Sequence, residues 1–354
     1  MSDERDAARH LVNEEALRAY LAQALPSHEA SASLTIERIR GGHSNETFYV
    51  THDAEQYVLR RPPLGPLLPT AHDVGREYRV LCALAATNVP VPRPILLCED
   101  TSVIGAPFYL MERIPGAVIR AKLPPAFAED EAARRGLGEA LIDALAELHA
   151  VDWQAVGLDD FGKPQGYLER QLRRWTGQLD ASRTRPLPDL DAVTAWLRAH
   201  LPESPPATIV HGDYRLDNLI VAPEPPARIR AIVDWEMATI GDPLADLGYL
   251  LSFWAEPDDP LFALADAAWR VTAQPGFPTR AQLVARYAAR TGRQLEHVSF
   301  YVALAIWKLA ILLEGSYKRH LSGTTDDPFF ATLDIGIPLL AARALAVCNG
   351  ELAF

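Results

Sequence analysis

Along the first third of the chain, apolar positions change their period several times. Leu17, Tyr20, Leu21 and Leu25 recur at helical spacing and stop at Pro26, which predicts a leading helix over 14–25. Over 34–61 the runs shorten to LTIERI, TFYVTH and YVLRR, separated by GGHSNE and DAEQ. Short runs between turn residues predict strand, turn, strand, turn, strand. Helical spacing returns over 71–86, where Val74, Tyr78, Leu81 and Leu84 make one stripe. A proline-stiffened connector, Val89-Pro90-Val91-Pro92-Arg93-Pro94, leads into two more strands, ILLCED and FYLMERIPG, around a Gly105-Ala106-Pro107 turn. From there the pattern is helical at 132–150, 167–179, 191–201, 244–254, 281–289, 298–318 and 333–346. It is interrupted once, over 207–250, by three short apolar runs that begin at Thr208, Leu219 and Ile229 and read as buried strands.

The polar residues at the ends of those three runs carry the chemistry. Asp213 and Asp234 fall at strand ends, and Asn218 opens the strand between them. A hairpin through the turn APEPPA would bring Asn218 and Asp234 together. Hard cations such as Mg²⁺ take oxygen ligands, commonly one or two carboxylates plus substrate phosphates. Phosphoryl transfer also needs a separate carboxylate that orients the attacking hydroxyl and accepts its proton. His211-x-Asp213-x-x-x-x-Asn218 has the spacing of the protein-kinase catalytic loop, H-R-D-x-x-x-x-N, and Asp234 follows after a hairpin.

The ordered set His211-Gly212-Asp213, Asn218, Asp234-Trp235-Glu236 and Gly241-Asp242-Pro243 with Asp246-Leu247 resembles the aminoglycoside phosphotransferase and choline kinase group of small-molecule kinases. Within it, PLLPTAHDVGREYRV is similar to a branch that includes the kinase-like domains fused to acyl-CoA dehydrogenases in animals. The resemblance implies an α+β, protein-kinase-like, two-lobed fold. The expected lobes are 1–114, a small antiparallel sheet with a leading helix, Gly-rich loop and hinge, and 115–354, a mainly helical lobe with the catalytic loop and acceptor pocket. It implies ATP and Mg²⁺ as cofactors and a small-molecule hydroxyl as acceptor. Asp213 is the implied catalytic base, Arg215 steadies phosphate or substrate, and Asn218 and Asp234 hold the metal. Gly42, His43, Ser44 and Asn45 cover the nucleotide phosphates, since glycine lets backbone N–H groups approach them. The cation that clamps the α/β-phosphates is Arg60 in place of the usual lysine, since no lysine precedes Lys122. Arg61 is its rival by one residue. Glu77 holds that cation, and Met111, Glu112 and Ile114 line the adenine hinge. His211 and Asp246 brace the loop, and His149, in the last turn of its helix, suits the helix dipole. Arg173, Arg174 and Trp175, with Trp307, Lys308, Glu314, Tyr317 and Lys318 on late helices, are acceptor-pocket candidates.

Composition narrows the partners. The 354-residue chain has a formal net charge of −12, which argues against nucleic acid and anionic membrane surfaces. Three scattered cysteines show no metal or disulfide pattern, and the charged N-terminus has no apolar signal core, so a reducing cytoplasm is the expected compartment. The longest apolar run, 298–313 with Lys308 inside it, reads as a buried helix too short to span a bilayer. No Walker or Rossmann glycine pattern is present: Gly162-Lys163 meets Pro164, and Gly136-x-Gly138 lies in a helical pattern. Oligomeric state is not readable. The expected activity is transfer of the ATP γ-phosphoryl group to a small hydroxyl compound, with a hydroxyacyl-type metabolite favoured. An antibiotic kinase and an inert ATP-binding scaffold stand as alternatives, and a protein kinase is disfavoured by the short 234–246 segment.

Overall fold

Strand alternation in the first hundred residues sorts side chains onto two faces, and the structure shows both faces used. This is a computed structural model, and it describes residues 11–25, 33–39, 45–63, 73–257, 259, 267–323 and 328–352. The expected phosphate-loop residues Gly42, His43 and Ser44 lie outside the described residues. The chain divides into two compact units: Met1–Gly116 with Arg230–Glu236, and Ala117–Ile229 with Met237–Phe354. The Arg230–Glu236 segment thus belongs to the first of these compact units.

In the first unit, helix α1 (Glu14–Ala24) precedes strands β1 (Leu34–Arg38), β2 (Glu46–His52) and β3 (Glu55–Arg61). Helix α2 (Val74–Leu84) and strands β4 (Pro94–Cys98) and β5 (Phe108–Glu112) follow. The five strands form one antiparallel sheet in the order β1-β2-β3-β5-β4. Tyr57, Leu59 and Arg61 face one way, and Leu59 packs into a core with Leu17 and Leu21 of α1, Phe48 and Phe108. Val58 and Arg60 face the other way, as the two-residue period of a strand requires. Asp73 caps α2 by accepting from the Arg76 N–H at 3.1 Å, so the first turn presents Glu77 inward, fully buried.

The second unit is built on helices. They are α3 (Pro125–Ala128), α4 (Glu131–His149), α5 (Tyr167–Ser182) and α6 (Pro188–Ala199), then α7 (Leu244–Phe253), α8 (Arg280–Thr291), α9 (Val298–Leu321) and α10 (Leu333–Cys348). Between α6 and α7 run four short strands, β6 (Thr208–Val210), β7 (Leu219–Val221), β8 (Ile229–Ile232) and β9 (Thr239–Gly241). β6 and β9 pair antiparallel, Ile209 against Ile240. The strand β9 is not among the apolar runs read from the sequence, being only three residues long and ending in Gly241. Sheet pairing to β6 forms it nonetheless. Gly248 lets α7 press against α9: a Cβ there would stand 2.5 Å from the Tyr301 carbonyl carbon.

The apolar run at 298 continues to Leu321 as a 24-residue helix, so the expectation that it is too short to span a bilayer is corrected. Among the described residues, two segments, Val298–Leu321 and Phe329–Cys348, are long and apolar enough to cross a membrane by length and composition, with 72% and 33% of their most apolar stretches buried inside the protein. The apolarity of α9 is explained by its place in the core, where Trp307 is fully buried and donates to Thr194 Oγ1 at 2.8 Å.

Candidate active site

In the sheet unit, one guanidinium organises the polar centre. Arg60 Nε lies 3.3 Å from Glu77 Oε2, and its Nη2 donates to Asp234 Oδ1 at 2.9 Å. Burial lowers the Arg60 pKa, but Glu77, Tyr109 and Asp234 outweigh it and hold the group above its ordinary range, so the cation is permanent. Burial pushes the Glu77 carboxyl up to about 7, against the pull of Arg60. Glu77 also receives the Tyr109 O–H at 2.9 Å and the amide of Asn45. Asn45, expected among the phosphate-covering residues, is buried, and its amide is committed to Glu77. Arg61, the alternative clamp, points the other way and donates to the carbonyls of Leu11, Ile104 and Pro62. Asp234 itself sits at φ +69°, a left-handed conformation that aspartate tolerates better than most side chains.

The expected hinge residues differ among themselves. Met111 is buried in β5, opposite Val58. The Glu112 N–H is given to the Arg93 carbonyl at 2.9 Å. Ile114 makes no backbone hydrogen bond among the described residues.

In the helical unit, the loop after β6 is held by a buried carboxylate. Asp246, in the first turn of α7, accepts the His211 N–H at 2.7 Å on Oδ2 and the Gly212 N–H at 2.8 Å on Oδ1. Gly212 is required here: its φ is +86°, and a Cβ would meet the Met237 carbonyl oxygen at 2.7 Å. His211 is fully buried, and its Nδ1 accepts the Asp213 N–H at 3.2 Å. His149 backs Asp246 from α4: Nε2 lies 3.3 Å from Asp246 Oδ2, and Nδ1 lies 2.7 Å from the Tyr287 hydroxyl. Burial lowers the His149 pKa, so the ring is neutral at pH 7 and donates Nε2–H to Asp246. This corrects the helix-dipole reading, which needs an imidazolium.

Asp213 stands two residues beyond the loop's anchor. The Asn218 amide nitrogen donates to the Asp213 main-chain oxygen at 2.9 Å and to Asp213 Oδ2 at 2.7 Å. Asn218 closes a single 3-10 turn, Leu216–Asn218, immediately before β7, instead of opening the strand itself. Arg215 Nε lies 3.3 Å from Asp213 Oδ1 and 3.0 Å from Asp217 Oδ1, so the guanidinium is shared by two carboxylates of its own loop. Burial, with the nearby Asp213 carboxylate, keeps the phenol of Tyr249, three residues beyond Asp246, protonated.

Tyr249, Tyr109 and Asp217 were not legible as site residues. Tyr249 had a usable signal, because i,i+3 places it near Asp246 on one helix face. Tyr109 had none, because its approach to Arg60 depends on the β3–β5 register. Among the acceptor candidates, Trp307 and Glu314 are structural: Glu314 accepts the Thr184 N–H at 2.8 Å and hydroxyl at 2.6 Å. Lys318 donates to the Ala181 carbonyl, and Tyr317 lies under the Arg185 guanidinium.

In the sheet unit Asp234 offers a carboxylate, and in the helical unit Asn218, with its nitrogen committed to Asp213, offers an amide oxygen, each an oxygen donor of the kind a hard divalent cation takes. No cluster of three or more His, Cys, Asp or Glu occurs among the described residues.

Comparison with known proteins gives a consistent picture. Residues 35–283 match the phosphotransferase enzyme family (APH). The chain is 38% identical over 314 residues to acyl-CoA dehydrogenase family member 10 of Mus musculus, covering 88% of this chain and 29% of that protein. It is 36% identical over 328 residues to family member 11 of Rattus norvegicus, covering 91% and 42%. The chain therefore spans well under half the length of these curated relatives. A Ralstonia eutropha protein solved as a candidate aminoglycoside phosphotransferase superposes with a TM-score of 0.80 at 35% identity, covering 95% of this chain and 98% of that one.

Proposed function

Because the chain belongs to the phosphotransferase enzyme family, we propose that it transfers the γ-phosphoryl group of ATP to a hydroxyl of a small acyl-type metabolite. The observation that carries this reading is the Asp213 carboxylate, fixed by the Asn218 amide at 2.7 Å in a loop that Asp246 holds through two backbone N–H groups. In the proposed reaction the Asp213 carboxylate orients the acceptor and takes its hydroxyl proton. The acceptor oxygen forms a bond to the γ-phosphorus as the bond to the β–γ bridging oxygen breaks, and ADP leaves. Arg60, held by Glu77, binds the α/β-phosphates, and Ile114 meets the adenine edge. Asn218 and Asp234 are the residues that would hold Mg²⁺, which would supply positive charge to offset that of the phosphates. Lobe 1–114 supplies the nucleotide grip and lobe 115–354 the acceptor side. Gly42, His43 and Ser44 cover the phosphates in this scheme.

An acyl-type acceptor is supported by the relatives that carry an acyl-CoA dehydrogenase name. The test is a screen of hydroxy acids, hydroxyacyl-CoAs, choline and aminoglycosides for ATP-dependent gain of one phosphoryl mass. Asp213→Ala should lower turnover about 10²–10⁴-fold. Near-normal turnover by that variant would remove Asp213 as the base, and transfer to aminoglycosides alone would replace the acyl acceptor.

A further inference from the structure

An arginine and a carboxylate that meet without competitors tend to form a fork, two parallel N–H···O bonds to the two carboxylate oxygens. Arg60 and Glu77, both buried in the sheet unit, do not form one. The guanidinium edge that would make the fork is divided. Nε meets Glu77 Oε2 at 3.3 Å as an ion pair without hydrogen-bond alignment, and Nη2 donates to Asp234 Oδ1 at 2.9 Å. The third nitrogen, Nη1, makes no hydrogen bond among the described residues. The Glu77 side chain is fully buried and that of Asp234 is 31% exposed, so the Nη end of Arg60 is the end nearer the open side.

Two other donors account for the missing fork. Glu77 Oε1 accepts the amide of Asn45, and Oε2 accepts the Tyr109 O–H at 2.9 Å. Tyr109 stands directly opposite Arg60 in the β3–β5 ladder, so the two side chains share one face of the sheet. Helix α2 packs on β5, and its Tyr78, the neighbour of Glu77, sets its ring 5.9 Å from the Tyr109 ring. Burial and the Glu77 charge keep the Tyr109 phenol protonated, so it remains a donor. Both Glu77 oxygens are therefore engaged before Arg60 reaches them. Freed of the Tyr109 hydroxyl, Oε2 could take Nε and Nη2 together, and a buried charge-assisted fork would draw Nη2 away from Asp234.

We infer that Tyr109 and Asn45 are positioning residues for Arg60: by occupying both oxygens of Glu77 they keep it from taking the guanidinium as a fork, and so leave the Nη end of Arg60 to the nucleotide phosphates. The inference rests on the phosphotransferase reading, in which Arg60 binds those phosphates. Neither residue touches the nucleotide; each acts through Glu77. Asn45 thereby has a different part from the phosphate cover expected of it, since its amide serves the carboxylate that steers the clamp.

The experiment is calorimetric titration of the full chain with ADP and with adenosine, on the unaltered protein, Tyr109→Phe, Asn45→Ala, Glu77→Gln and the two double variants that include Glu77→Gln. Tyr109→Phe keeps the ring and removes only the hydroxyl. It should weaken ADP binding about tenfold, the scale of a hydrogen bond to a charged group, and adenosine binding less than about twofold. Asn45→Ala should act in the same direction, and it leaves the Tyr109 ring in place, so each variant tests the inference if the other fails to fold. In the Glu77→Gln background either second change should alter ADP affinity less than about twofold, because the carboxylate through which both act is gone. Equal losses of ADP and adenosine affinity would mark general damage to the sheet and overturn the inference. So would a tenfold loss that persists in Glu77→Gln, which would mean direct contact with the phosphates. ADP binding that both single variants leave unchanged would overturn it alone. An unaltered chain that binds neither ADP nor ATP would overturn the phosphotransferase reading and this inference with it.

Discussion

At the scale of single residues, Arg60 and Lys308 show what burial does to a cation. Arg60 is buried against Glu77 and Asp234 and stays charged; Lys308 is set among tyrosines without a carboxylate to itself. The Lys308 ammonium releases its proton near 8 in the folded protein and near 10.5 in the unfolded chain. Between those values the unfolded chain binds more protons, so stability rises with pH, and the full cost of the buried charge is felt below pH 8. Lys308→Met should therefore stabilise the protein at pH 7, by at most roughly 3 kcal/mol. The gain should shrink as pH approaches 10. Thermal midpoints of both proteins from pH 7 to pH 10 check this, and a variant less stable at pH 7 would contradict it.

At the scale of elements, the site depends on close approaches that sequence does not announce. Helix α7 supplies Asp246 to the loop after β6, and α7 and α9 together line the small recess beside it with Tyr249, Tyr301 and Lys308, so the crossing of these two helices sets that recess. Gly248 is the contact point, with the Tyr301 backbone in the place a Cβ would take. Gly248→Ala should force the helices apart and destabilise the protein by about 1–3 kcal/mol, read as a lower denaturant midpoint with an unchanged slope. It should also weaken acceptor binding more than nucleotide binding, because Arg60 and Glu77, the groups proposed to grip the nucleotide, belong to the sheet unit. The strand alternation that separates Arg60 from Arg61 was legible in YVLRR, since neighbouring strand residues face opposite ways. The sequence could not say which face meets α2; the packing of Leu59 with α1 and of Arg60 with Glu77 decides it.

At the scale of the whole molecule, the proposed cofactors give a measurable linkage. A ligand that binds only the folded chain stabilises it by about 2.7 kcal/mol at a hundred times its dissociation constant. ATP with Mg²⁺ should raise the thermal midpoint by a few degrees, and chelation of Mg²⁺ should remove most of that rise. Asn218→Ala should show a smaller rise than the unaltered chain at equal ligand concentration. An equal rise with and without Mg²⁺ would exclude Asn218 and Asp234 as metal holders. The charge of −12 bears on this scale alone: it disfavours polyanionic partners, yet leaves a local cation such as Arg60 free to set the potential at the phosphates.

The sequence by itself determined the ordered chemistry: His211, Asp213, Asn218 and Asp234 at fixed spacings, and the change from strand to helix periods that divides sheet from helices. These are local properties, carried by residue type and period along a few turns or strands. The tertiary structure decided which partners complete them. Tyr109 on Glu77, His149 and Tyr287 behind Asp246, strand β9 against β6, and Lys308 over the Trp175 ring all join residues dozens to more than a hundred positions apart. Such contacts come from register, helix crossing and burial, which depend on the whole packed chain and leave no periodic trace in any one segment.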